Sequence, residues 1–231
     1  MDRSTARSII YNFLSLCYTY PDEEVCPWIA QGEWIKSLRE SLSLLTEEDF
    51  ERYLRTFEGL ISDQKEEMLS LEMGREYTRL FINAFPHVVA PPYGSIYLEK
   101  GGLVFGETTS EVLRFYHEAG FTLKEELRDL PDHIAQEFEF MGILADQESQ
   151  TTGSEKIKLE EKQMEFFSHF ILPWVPDFCE KIETQSLFPF YRCLGMLTRE
   201  FVDLERNYLG IPEELNSRKE IAAGKKEVQN G

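Results

Sequence analysis

Residues 131–147 read PDHIAQEFEFMGILADQ, and this stretch decides the fold class. Its apolar residues recur at helical spacing and form one stripe: Ile134, Phe138, Met141 and Ala145. Phe140 and Leu144 broaden the stripe, and Pro131 suits the first turn of a helix that runs to about Gln147. The stretch therefore predicts a helix that is buried on more than one side.

Helical patterns continue on the N-terminal side of this segment. Apolar residues at helical spacing predict helices over residues 4–18, 34–45 and 66–84, and Pro21 breaks the first pattern. Thr46 is followed by three acidic residues, so we expect it to cap a further helix. The apolar residues of that helix are Phe50, Tyr53, Leu54, Phe57 and Leu60.

Helical patterns also dominate the C-terminal side. Thr108 and Glu111 have the spacing of a capping box, and Gly120 is expected to end the helix that they begin. A long helical region follows the polar residues 148–154, and Pro173 and Pro176 should kink or break it. The last strong pattern spans residues 189–209, and Gly210 is expected to end that helix. Because no strand-period alternation outweighs these helices, we predict an all-α single-domain helical bundle.

Residues 86–107 interrupt the helical rhythm. Proline and glycine punctuate this segment too densely for a regular element, which predicts a loop of about twenty residues. Structureless loops longer than roughly 12–15 residues are uncommon in compact domains unless they are functional or disordered. Aromatic residues at positions 93, 97 and 105 argue against disorder, so we expect a long ordered loop.

Composition narrows the class of partner. The chain has 24 Lys and Arg against 42 Asp and Glu, a net charge of −18, which disfavours nucleic acid and anionic membranes as partners and favours a basic segment.

We expect one domain over residues 1–216 and a disordered tail over 217–231. The four cysteines form no C-x-x-C pair, and neither a leader nor a membrane span is evident. These features predict a cytoplasmic protein with reduced thiols and no membrane insertion.

Catalytic motifs are not found in the sequence. There is no G-x-S-x-G nucleophile elbow and no phosphate loop, and the glycines at 101–106 lack the dinucleotide-binding spacing. A di-iron bundle would need two Glu-x-x-His motifs, and no histidine has glutamate three residues before it. We therefore expect no enzymatic activity, no metal and no cofactor.

Two places carry candidate binding residues. The loop segment PPYGSIY, residues 91–97, holds two tyrosines on a stiff turn, which suits either core packing or the aromatic wall of a groove. In the second place, Asp132 and His133 begin a helix, with Glu137 one turn later. Asp132 could simply stabilise the helix N-terminus, whereas His133 and Glu137 share one face and could meet a cation.

Several motifs, in order along the chain, resemble the TorD/DmsD/NarJ-type redox enzyme maturation chaperones. They are EYTRLF (76–81), PPYGSIY (91–97), VFGETT (104–109) and PDHIAQEFEFM (131–141). FFSHFILPW (166–174) and FYRCLGMLTREF (190–201) are similar to the C-terminal part of that family. The resemblance covers nearly the whole chain.

The resemblance implies a cytoplasmic chaperone that binds the twin-arginine leader of a catalytic subunit of a molybdenum-containing oxidoreductase. Such a chaperone delays export until the molybdenum cofactor is loaded, in support of anaerobic respiration. Carried over by position, the peptide groove would consist of Tyr77, Leu80, Phe81, Phe85, Pro92, Tyr93, Tyr97, Asp132 and His133. The family also implies a monomer or a domain-swapped dimer. Two alternatives stay open: a generic helical adaptor, and a small-molecule enzyme on a helical bundle.

Overall fold

The computed structural model describes residues 1–102, 104–122 and 129–213. Across these ranges the chain forms eleven α-helices and two π-helical segments. The helices are α1 (Arg3–Cys17), α2 (Val25–Gln31), α3 (Trp34–Leu45), α4 (Glu51–Asp63), α5 (Glu66–Tyr77), α6 (Gly94–Leu98), α7 (Glu107–Glu118), α8 (Ile134–Ser149), α9 (Ser154–Phe166), α10 (Val175–Gln185) and α11 (Pro189–Tyr208). The π-helical segments Thr78–Ile82 and Phe167–Ile171 continue α5 and α9. The all-α prediction is confirmed, while the expected tail lies outside the described residues.

Helix α8 is largely buried, as its broad apolar surface predicts. It packs most extensively against α1, which also contacts α3, while α10 packs against α11 and α11 against α4. Ile134, Phe138, Met141 and Leu144 are fully buried, and so are Ile10 and Leu14 of α1. Aromatic rings fill much of the core, where edge-to-face pairs such as Tyr11 with Phe201 add to area burial.

A buried ionic network joins four helices around Arg7 of α1. Its guanidinium donates two hydrogen bonds to Glu205 of α11, at 2.7 and 2.8 Å, and one to Glu148 of α8 at 2.8 Å. A fourth hydrogen bond reaches Gln163 of α9 at 2.7 Å. Arg7, Glu148 and Gln163 are completely buried. Because every partner comes from a different helix, this network fixes how the helices meet.

Two local predictions in the N-terminal half were wrong or incomplete. Thr46 does not cap α4, because it ends α3 in an extended conformation and its hydroxyl accepts the N–H of Glu48. The acidic residues after it form a turn, and α4 begins only at Glu51. Helix α2 was not foreseen, since its seven residues are too few to show clear periodicity.

Further corrections concern the starts of three helices. The loop over residues 86–107 contains the short helix α6, and α7 starts at Glu107 after Gly106 instead of at Thr108. The side chain of Glu99 accepts the Thr108 N–H at 2.7 Å. Pro131 precedes α8 instead of lying in its first turn, because His133 is the N-cap residue.

The predicted helix ends agree better with the structure. Gly120 and Gly210 follow α7 and α11 with positive φ angles of 85° and 67°, which glycine adopts without steric cost. Pro176 lies in the first turn of α10, after the break that the two prolines predicted. No helix in the described ranges is long and apolar enough to cross a membrane.

Candidate functional site

The PPYGSIY loop is fastened to the N-terminus of α8. The Ile134 N–H donates to the Pro92 carbonyl at 2.9 Å, and the Gly94 N–H donates to the Asp132 carbonyl at 2.9 Å. Together these bonds form an isolated antiparallel bridge between Tyr93 and His133. The two segments that the sequence singled out separately therefore form one site.

His133 lies under Tyr93 as a neutral imidazole. Its Nδ1 accepts the Ala135 N–H at 3.2 Å and thereby caps α8, which leaves the ring proton on Nε2. The Tyr93 ring meets the imidazole edge-on, with 5.1 Å between the centroids. Burial lowers the pKa of His133, although the carboxylates of Asp129 and Asp132 oppose that shift. At neutral pH the imidazole is therefore uncharged.

Asp132 and Glu137 place two carboxyl groups in the interior beside this histidine, and neither side chain is exposed to solvent. Asp132 Oδ2 accepts the Ser95 N–H at 2.9 Å, which ties α6 to α8. Glu137 Oε2 accepts from Trp174 Nε1 at 3.3 Å. The other oxygen of each group, Asp132 Oδ1 and Glu137 Oε1, has no hydrogen-bond partner in the part of the chain that the structure describes.

The pair differs from an ordinary buried ion pair because it contains no cation. Burial raises the pKa of Glu137 well above its usual range, and the nearby Asp132 carboxylate raises it further. Glu137 is therefore held as the neutral acid, which can donate a hydrogen bond where an ionised carboxylate can only accept.

Asp129 is the accessible carboxylate of the site, and sequence reasoning missed it. It is exposed, and its Oδ1 accepts a hydrogen bond from the half-buried Tyr93 hydroxyl at 3.1 Å. Burial and the Asp129 charge raise the pKa of Tyr93. In the sequence, Asp129 is visible only as a second aspartate three residues before Asp132. Its position beside Tyr93 is not visible there.

The remaining residues predicted for the groove do not share one environment. Phe85 is fully exposed, whereas Tyr77, Leu80 and Phe81 belong to the core. The prediction that Phe81 forms groove surface was wrong, because its ring packs at 5.6–6.2 Å from three buried aromatic rings of the core. Tyr97 is half-buried against Trp174, with Lys181 Nζ 4.3 Å above its ring.

The donor set of this site does not suit a metal ion. Within the ranges that the structure describes, no three His, Cys, Asp or Glu side chains are grouped as metal ligands would be. Asp132 and Glu137 are two oxygen donors beside a histidine whose Nδ1 is already engaged. The carboxylate oxygens of this site accept hydrogen bonds, so they suit a hydrogen-bond-donating cation, such as a guanidinium, better than a metal ion.

Comparison with known proteins gives consistent matches. A family model described as nitrate reductase delta subunit matches residues 43–180. The chaperone protein TorD of Photobacterium profundum is 31% identical over 140 residues, which cover 60% of the chain and 64% of that relative. The alignment thus spans slightly less than two thirds of that relative. The chaperone protein TorD of Aliivibrio fischeri is 28% identical over 198 residues, which cover 76% of the chain and 91% of that relative.

A solved structure extends the match to three dimensions. The crystal structure described as a redox enzyme maturation protein from Archaeoglobus fulgidus superposes with a TM-score of 0.56 at 25% sequence identity. The match covers 85% of this chain and 93% of the other.

Proposed function

The chain belongs to the nitrate reductase delta subunit family, and from that premise we propose that it is a chaperone that binds the twin-arginine leader of a redox enzyme subunit. The expected resemblance to TorD-type maturation proteins is confirmed at the level of family and fold. The relatives are named chaperones, a non-enzymatic role. The proposal adds that the client carries a molybdenum cofactor and that binding takes place in the cytoplasm, before export.

The observation that carries the proposal is the buried Asp132 Oδ1, which has no hydrogen-bond partner among the described residues, together with the exposed Asp129, which accepts from the Tyr93 hydroxyl. A leader with two arginines presents guanidinium groups, which form strong paired hydrogen bonds with carboxylates. Asp129 is exposed and offers the first contact. Asp132 is fully buried, so a guanidinium reaches it only if neighbouring side chains move aside. The net charge of −18 favours encounter with a basic segment.

Charged and apolar contacts make different contributions to the affinity for the leader. Each exposed ion pair contributes only about 0.2–1 kcal/mol, whereas burial of one leucine or phenylalanine contributes roughly 1.5–3 kcal/mol. A micromolar complex needs about 8 kcal/mol net of ordering costs. The apolar run of the leader must therefore supply most of the affinity, and the carboxylates supply specificity and encounter rate.

Calorimetry on the full chain tests the proposal. The client's leader should bind with micromolar or tighter affinity, and a leader with Lys-Lys in place of Arg-Arg should bind more weakly. Asp129→Asn should weaken binding of the Arg-Arg leader up to about fivefold, the equivalent of an exposed ion pair. Asp203→Asn on α11 removes the same charge from another exposed site and serves as the control.

Three outcomes would count against this assignment. If no twin-arginine leader from the same organism gives measurable heat, the chaperone does not act on leaders. Equal affinity for the Arg-Arg and Lys-Lys leaders would instead favour a generic helical adaptor. If Asp132→Asn lowers stability and leaves leader affinity unchanged, Asp132 serves only to hold α6 against α8.

A further inference from the structure

Buried polar atoms without hydrogen-bond partners lie together where α6 meets the start of α8. Ser95 Oγ, Asp132 Oδ1 and Glu137 Oε1 have no partner among the described residues, and all three side chains are completely buried. Ser95 lies against Asp132, because its N–H donates to Asp132 Oδ2 at 2.9 Å. Folded proteins leave few buried polar groups unpaired, so a place where several of them meet is a candidate ligand site.

Helix α6 covers Glu137 directly. A β-carbon at Gly94, the first residue of α6, would lie 3.5 Å from Glu137 Oε1 and 3.1 Å from Trp174 Nε1. The helix is five residues long, and two of its N–H groups donate to Asp132: that of Gly94 to the carbonyl and that of Ser95 to the carboxylate. The segment that covers Glu137 is therefore held in place by Asp132, the residue that we propose to receive a guanidinium.

The same segment begins at the accessible part of the site. Tyr93 is the N-cap residue of α6, and its hydroxyl donates to the exposed Asp129 at 3.1 Å. A guanidinium that pairs with Asp129 competes with Tyr93 for this carboxylate, because both donate hydrogen bonds to it. Contact of a leader with Asp129 thus acts on the residue from which the cover of Glu137 starts.

Glu137 has hydrogen-bond donors and an anionic neighbour around it, but no cation. Trp174, which precedes α10, donates to Glu137 Oε2 at 3.3 Å, and Tyr116 of α7 directs its hydroxyl to a backbone carbonyl at 3.0 Å. Burial raises the pKa of Glu137, and the Asp132 carboxylate raises it further. No ion pair within the described ranges includes Asp132 or Glu137. A cation at this place would oppose the effect of Asp132.

We propose that Glu137 is the second carboxyl group of the guanidinium site and that it releases its proton to the solvent when an arginine of the leader pairs with Asp132. This inference rests on the proposed function and adds to it a dependence of leader binding on pH. The O–H bond of Glu137 breaks, its electron pair stays on the carboxylate, and water accepts the proton, while the guanidinium remains charged. The five N–H donors of a planar guanidinium are enough to serve both carboxylates.

Calorimetry on the full chain counts the released proton. The ligand is an N-acetylated Arg-Arg leader, which has no free terminal amine to titrate. It is added at pH 7 in phosphate and in Tris, two buffers that differ in their enthalpy of ionisation. The difference in heat should correspond to about one proton per leader for the parent and to none for Glu137→Gln. Glu139→Gln, an exposed position on the same helix, is the matched control and should release the proton as the parent does.

The pH profile of the affinity is a second, independent measurement. Parent affinity for the leader should rise between pH 6 and pH 8, by up to about tenfold per pH unit for one linked proton. Glutamine resembles the neutral acid, so Glu137→Gln should bind like the parent at pH 6 and at least about fivefold more weakly at pH 8. A purely structural role of Glu137 would not produce a difference in affinity that grows with pH.

The outcomes separate this inference from the proposed function. If the parent binds the leader without releasing a proton and with the same affinity from pH 6 to pH 8, the role of Glu137 is overturned and leader binding stands. Proton release that persists in Glu137→Gln comes from another group and overturns that role as well. If the parent binds no leader at all, the proposed function fails, and the inference fails with it.

Discussion

Replacing Glu137 with glutamine should stabilise the protein at neutral pH. Glu137 is fully buried beside the Asp132 carboxylate, and burial raises its pKa well above the ordinary value of 4.5. At pH 7 this carboxyl group is ionised in the unfolded chain, so it must take up a proton when the chain folds. Glutamine has nearly the same shape as the protonated acid, accepts from Trp174 through its oxygen, and needs no proton.

The size of the effect follows from linkage. Each pH unit above the unfolded pKa adds about 1.4 kcal/mol to the cost of holding a group protonated. From pH 4.5 to pH 7 the cost reaches roughly 3 kcal/mol, which is an upper limit reached if Glu137 stays fully protonated. A change of 1 kcal/mol shifts the melting temperature of a chain this size by roughly 2–4 °C. The variant should accordingly melt up to about 6–12 °C higher than the parent at pH 7.

The sign of the pH dependence provides the sharper check. A carboxyl group whose pKa is higher in the folded than in the unfolded chain contributes its full stabilisation below the pKa of the unfolded chain. That contribution is lost as the pH rises. The difference in unfolding free energy between Glu137→Gln and the parent should thus be near zero at pH 4.5 and should grow towards pH 7. Urea denaturation at four pH values measures it, with the exposed Glu139→Gln on the same helix as control. A difference that stays constant with pH would refute the assignment of a buried neutral acid.

Three further predictions concern the fold and the cap of α8. Arg7→Met should lower the unfolding free energy by about 3–5 kcal/mol, measured by urea denaturation, because it removes the buried cation that pairs with Glu205 and leaves Glu148 with Lys156 alone of its two cations. Gly195→Ala should lower the unfolding free energy by roughly 1–3 kcal/mol in the same measurement, because the new β-carbon would lie 3.1 Å from Ile182. Gly59→Ala is the control and should be neutral or stabilising, because its β-carbon would meet no described atom within 4 Å. His133 has a lowered pKa, so the unfolded chain binds more protons and the parent should lose stability as pH falls through about 6.5. His133→Asn keeps a capping side chain and should lack this loss in melting curves between pH 7 and pH 5.

The sequence predicted most helices because their determinants are local. Phe138, Met141 and Leu144 repeat at helical spacing, and glycine at position 120 permits the left-handed residue after α7. Helix starts were predicted less well. Thr46 and Pro131 have side chains that suit a helix start, but both lie outside the helices that they were expected to begin. Thr46 ends α3, and His133, not Pro131, starts α8 as its N-cap.

The candidate site was predicted in its parts and not in its geometry. Tyr93, Asp132 and His133 were recognised from motifs, yet their backbone contacts join segments about forty residues apart. Phe81 shows the opposite error. Its motif marked it as groove surface, whereas the π-helical segment places its ring in the core.

By itself the sequence determined the helical class and the family resemblance, because periodicity and short motifs are properties of neighbouring residues. Only the tertiary structure decided which carboxylates face each other and which surfaces stay open. Glu137 meets Trp174 across 37 positions, and Glu76 holds the turn at Leu187 across 111 positions. Such contacts depend on how whole helices pack, and burial within that packing sets the protonation of Glu137 and His133.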